Sequence, residues 1–178
     1  MPQLSLGLDH SEAAFSPCRT YRYSLWRRWS DGPQVLFVML NPSTADATLD
    51  DPTIRRCIGF AKKWGYGSIE VVNLFAFRAT NPNDLDCLER VHGTDLIVGS
   101  DNERYWEEAK ARASLVIAAW GAHVRAARSG QRWRAMIVFG DMDCLGRTLG
   151  NEPRHPLYLP GASRLMAWCR DGREVTEQ

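Results

Sequence analysis

The chain is predicted to fold as an α/β domain: a three-layer α/β/α sandwich around a mainly parallel four-stranded central sheet, with an extra strand at the N-terminal edge. Three observations predict it. Residues 35–40, 68–75 and 115–120 are largely apolar runs that read as buried strands. Helical signals fill the intervals, and strand–helix alternation implies right-handed crossovers and a parallel sheet. Polar segments then stand directly at the strand ends, where open α/β sheets bind their ligands. At 178 residues the chain is read as one domain, residues 1–178, large enough for a single core.

Each element follows from local chemistry. Residues 1–17 are small and polar and read as a loose arm. Residues 20–29 alternate aromatic and basic side chains and read as an antiparallel edge strand. Asp31-Gly32-Pro33 is a turn, and the first buried strand, 35–40, follows it. Asp51 is placed to cap a helix, with Pro52 in its first turn and Gly65 at its end. Ile54, Ile58 and Ala61 share one face of that helix. The second buried strand covers 68–75. Asn81-Pro82-Asn83-Asp84 turns into a short helix over 84–89. Residues 100–113 form a helix whose acidic start and basic end match the helix dipole. The third buried strand, 115–120, leads into a short basic helix over 122–129. A helix over 131–139, a fourth strand near 142–148 and a final helix over 163–170 complete the chain.

Composition narrows the function. The net charge is +1, which argues against holding nucleic acid by bulk electrostatics alone. Lys62, Lys63 and Lys110 are the only lysines; every other basic side chain apart from histidine is an arginine, the better donor for planar, bidentate phosphate contacts. The five cysteines are scattered with no C-x-x-C pair, so spacing supports no metal site. No apolar run reaches the roughly 18 residues of a membrane span. Residues 1–10 do not read as a secretory signal, and the expected location is the cytoplasm.

Four polar segments carry the candidate chemistry. In the first, Asn41 and Pro42 end the first buried strand and are followed by Ser43, with Asp46 five residues after Asn41. Asn41 can present its amide to a water or a base, and Asp46 can hold or activate a water; both can equally satisfy a local turn. In the second, Asn73 offers a donor and an acceptor side by side, suited to a base edge. Phe75 can stack on a base or belong to the core, and Arg78 can meet a phosphate. In the third, Trp120-Gly121 forms a strand-to-helix turn whose helix N-terminus is an anion site in principle; His123 follows. In the fourth, Arg154 and His155 lie on a stiff loop ahead of Tyr158. A histidine there can donate to a leaving group as negative charge grows on it.

An N-P turn after the first strand, an Asn closing the second, W-G after the third and His155-Pro156 after the fourth together resemble the uracil-DNA glycosylase superfamily. Met39-Leu40-Asn41-Pro42-Ser43 is similar to the G-I-N-P-G of its mismatch-specific branch. More closely, Asn41 to Asp46 together with Arg154 to Pro160 resemble the family called domain of unknown function 1643, over nearly the whole chain. The superfamily resemblance implies a glycosylase-like fold and base excision from a deoxynucleotide, with no metal, no cofactor and no covalent nucleophile. It implies that Asn41, with Asp46, places the water, that Asn73 reads the base, and that His155 stabilises the departing base. Leu157 and Tyr158 stand where the superfamily has smaller residues and could wedge into a duplex. DNA or a nucleotide is the expected partner. The functions carried forward are a glycosylase-like hydrolase of a damaged or modified base, a non-catalytic nucleotide or nucleic-acid binding module, and an enzyme acting on a free modified nucleotide.

Overall fold

The computed structural model describes residues 10–123 and 130–175. Its strands are β1 (His10–Phe15), β2 (Arg22–Arg28), β3 (Gln34–Met39), β4 (Ser68–Asn73), β5 (Leu115–Ala118), β6 (Met142–Cys144), β7 (Met166–Arg170) and β8 (Arg173–Glu174). Its helices are α1 (Pro52–Lys63), α2 (Asn83–His92), α3 (Thr94–Val98), α4 (Asn102–Arg112) and α5 (Gly130–Phe139), with a 3-10 turn at Pro156–Tyr158.

The fold is mixed α/β. The strands form one eight-stranded sheet in the order β1-β2-β4-β3-β5-β6-β7-β8. The expected mainly parallel four-stranded, uracil-DNA-glycosylase-like sheet is corrected by this topology. The pairings β3/β4, β3/β5 and β5/β6 are parallel, whereas β1/β2, β2/β4, β6/β7 and β7/β8 are antiparallel. Crossover helices force the central strands to run together, and short connections at both ends of the chain fold back as hairpins.

Strand β3 is buried along its whole length because helices cover both faces of the sheet. Val35, Phe37 and Met39 pack with Ile54, Cys57 and Ala61 of α1. The alternate residues Leu36 and Val38 pack with Leu85, Ile97, Trp106, Met136 and Phe139 from α2, α3, α4 and α5. This period-two division is the strand geometry itself. The start of α1 is set by Asp51, whose Oδ1 accepts from the Ile54 amide at 2.8 Å, and by Pro52 in its first turn.

Three further expectations change. Residues 10–15, read as part of a loose arm, form β1. His10, Ser11 and Glu12 are exposed and Ala13, Ala14 and Phe15 half-buried, as an outermost strand allows, and backbone pairing with β2 holds them. Strand β2 is therefore not the edge; it lies between β1 and β4. Residues 163–170, read as a helix, contain strand β7. Trp168 and Cys169 are fully buried there, and Asp171-Gly172, both with positive φ (50° and 71°), turn the chain into β8. An Asp-Gly pair is a strong hairpin signal, and it outweighs the local helical preference. Helix α3 was not anticipated. Of the helix expected over 122–129, Ala122 and His123 are not helical, and residues 124–129 lie outside the described residues.

Candidate functional site

A cavity of about 620 Å³ opens where β3, β4 and β5 end. Asn41, Ser43, Asn73, Trp120, Gly121, Arg154, His155 and Tyr158 all line it. So do three groups not anticipated as site residues: Arg22 from the start of β2, and Asp51 and Thr53 at the start of α1.

The strand ends hold the two asparagines in defined orientations. Asn41 Nδ2 donates to the Ala79 carbonyl at 2.7 Å and to the Pro42 carbonyl at 3.1 Å. Its Oδ1 is the atom left to accept from a ligand or water. Asn73 is buried, and its main-chain carbonyl accepts from Asn102 Nδ2 and Trp106 Nε1, each at 3.0 Å. Its side-chain Oδ1 accepts from Arg22 Nη2 at 3.4 Å, which leaves Nδ2 as the donor.

The loop carrying His155 is seated by Trp120 and Gly121. Trp120 is buried, meets Trp168 edge-to-face at 4.8 Å, and donates from Nε1 to Glu152 Oε2 at 2.9 Å. Glu152 is paired in turn with Arg132 of α5 at 3.2 Å. Gly121 has φ +82° and donates to the Pro153 carbonyl at 3.0 Å; a Cβ there would meet the His155 Cβ at 3.3 Å. Only glycine permits both that backbone and that approach. Beyond the turn, Arg56 and Lys63 of α1 donate to the carbonyls of Leu159 and Gly161.

His155 Nδ1 accepts from the Leu157 amide at 3.3 Å. Burial holds the imidazole below the usual histidine range, partly opposed by Asp51. The ring is thus favoured as a neutral tautomer carrying its proton on Nε2, a hydrogen-bond donor. The Tyr158 ring lies 5.6 Å away, largely exposed at the rim.

Four predicted residues are not in the cavity lining. Asp46 Oδ1 accepts from the Thr48 and Leu49 amides, both at 2.8 Å, and from the Thr48 hydroxyl at 3.2 Å. These bonds lower its carboxyl below the usual range and close a local turn. Phe75 is fully buried in the core. Arg78 lies 5.1 Å over the Phe15 ring and donates to the Arg19 carbonyl at 3.3 Å. Pro42 is buried behind the loop, its carbonyl held by the Ala79 amide at 3.0 Å.

Arg22 escaped notice because its strand alternates aromatic and basic residues like a solvated edge. Asp51 was visible only as a helix cap. Neither placement has a local signal, since the neighbours that bury Arg22 are remote in sequence.

Among the described residues, no group of three His, Cys, Asp or Glu side chains is placed to hold a metal ion, and no helix is long and apolar enough to cross a membrane. The model of a family described as "Protein of unknown function (DUF1643)" matches residues 22–157 of this chain. No curated protein and no solved structure matches it.

Proposed function

This chain belongs to the DUF1643 family, and from its cavity we propose that it binds a single nucleobase, in DNA or a nucleotide, and hydrolyses the N-glycosidic bond that holds it. The observation that carries this reading is the convergence of Asn41, Asn73 and His155 on one cavity, with His155 Nδ1 accepting from the Leu157 amide and burial disfavouring the charged ring. The uracil-DNA glycosylase superfamily supplies the chemical analogy.

In this reaction the C1′–N bond breaks and its electron pair leaves with the base. His155 donates from Nε2 to the base as that charge develops, and Asn73 Nδ2 donates to a base oxygen. Asn41 Oδ1 accepts from a water and aims it at C1′. The new bond is C1′–O, and the water's proton passes to the Asp51 carboxylate. Asp51 replaces Asp46 in this role because it lines the cavity and Asp46 does not; the Asp51 Oδ1 caps α1, which leaves Oδ2 for the proton. That displacement also favours a second reading, in which the same cavity binds a nucleotide without hydrolysis.

The test is single-turnover base release. Single- and double-stranded oligonucleotides carrying uracil, mismatched thymine, hypoxanthine or oxidised pyrimidines are the substrates. Release that vanishes in Asn41→Ala and slows about 10²–10³-fold in His155→Ala is expected, the usual scale for one donor to developing charge. Binding without release from any of them overturns hydrolysis and leaves the second reading. Wild-type turnover in both variants removes the cavity from the chemistry.

A further inference from the structure

Arg22 lines the cavity but is only 2% exposed. A buried guanidinium is normally matched to a carboxylate, because an uncompensated charge away from water is expensive. Among the described residues, Arg22 has no carboxylate within ion-pair distance. Its protein hydrogen bonds are Nη1 to the Ala45 carbonyl at 2.9 Å and Nη2 to Asn73 Oδ1 at 3.4 Å. Nε is buried with no partner at all. A guanidinium has five N–H donors, so most of its capacity is unused. Burial lowers its pKa to about 10, which leaves it charged at neutral pH.

The surroundings point the same way. The Arg22–Asn73 bond turns the amide oxygen toward the guanidinium, and Nδ2 is the Asn73 group left to donate. Thr53 at the start of α1 lines the same cavity; Asp51 there caps the helix through the Ile54 amide, and its charge acts on Arg22 from beyond ion-pair distance.

We propose that Arg22 and Asn73 Nδ2 form an oxyanion receptor, so that the ligand filling this cavity carries a carboxylate or phosphate group seated on Arg22. This deepens the nucleobase reading by naming an anionic nucleotide or an acid-bearing base as the substrate class. The receptor itself stands on the unpaired guanidinium alone.

The experiment titrates the full chain by calorimetry with orthophosphate, with acetate, and with uracil against its ring-carboxylated form, all at matched chloride ionic strength. Binding of at least one oxyanion is expected, weakened tenfold or more in Arg22→Met. Orthophosphate preference assigns a nucleotide phosphate; preference for the carboxylated ring over uracil assigns an acid-bearing base. Because Arg22→Met can fail to fold, Asn73→Asp is the second variant. It supplies an internal carboxylate to Arg22, so it is expected to melt higher than wild type while losing the oxyanion. No oxyanion binding by the wild type, or binding unchanged in Asn73→Asp, overturns the receptor. Base release measured in parallel separates the two readings. Oxyanion binding without base release leaves the receptor standing and removes hydrolysis; base release without oxyanion binding does the reverse.

Discussion

Replacing Gly121 by alanine tests how the His155 loop is held. The position has φ +82°, where an L side chain costs roughly 1–2 kcal/mol. The new Cβ would also stand 3.3 Å from the His155 Cβ, inside the usual ~3.5–4.0 Å carbon contact. The loop has little room to yield, because the Gly121 amide binds the Pro153 carbonyl at 3.0 Å and the Arg154 amide binds the Gly146 carbonyl at 2.8 Å. Overpacking of this kind costs roughly 1–3 kcal/mol. The expected loss is therefore about 2–5 kcal/mol, which lowers the melting temperature of a domain this size by roughly 4–20 °C. Gly140→Ala is the control: φ is +68°, with nothing within 4 Å of the added Cβ, so only the backbone cost of roughly 1–2 kcal/mol remains. Gly59 lies inside α1 with nothing within 4 Å of its added Cβ, and Gly59→Ala is expected to stabilise by roughly 0.5–1 kcal/mol. Urea denaturation followed by circular dichroism ranks the three. If Gly121→Ala costs no more than Gly140→Ala, the close approach to His155 does not hold the loop and the reasoning fails.

Two other outcomes are expected. Burial places the folded His155 pKa below its ordinary value, so the unfolded chain binds more protons between the two. Its contribution to stability is present above about pH 6.5 and is lost as pH falls through the folded value. Melting temperature should therefore fall on acidification, more steeply in wild type than in His155→Gln; parallel profiles would count against a half-buried ring that resists protonation. Asp46→Asn keeps the acceptor that closes the turn, and base release should be unaltered. Abolished release at unchanged melting temperature would return Asp46 to the chemistry.

Much of the central framework was legible because its signals are local. Asp51-Pro52 at the head of α1 and the unbroken apolar run of β3 report their own conformations, since capping and two-sided burial act over a few residues. The same locality made Asn41, Asn73 and His155 visible as polar breaks at strand ends or on a stiff loop. Strand β1 was not legible: His10 to Phe15 carries neither an apolar run nor a clear alternation, and what holds it is backbone hydrogen bonding that leaves no mark on composition. The β7–β8 hairpin has a local signal in Asp171-Gly172, which lies just beyond the stretch read as a helix.

By itself, then, the sequence determined helices α1, α2, α4 and α5, the buried strands β3, β4 and β5, and the polar residues available where those strands end. Tertiary structure decided the pairing of the outer strands, the withdrawal of Asp46, Phe75 and Arg78 from the cavity, and the arrival of Arg22 and Asp51 in it. The physical reason is range. Propensity, capping and burial pattern are properties of neighbours along the chain, whereas the environment of a charge is set by groups remote in sequence. Arg22 meets Ala45 and Asn73 only after β2 has paired with β4, and until then nothing distinguishes it from any solvated arginine.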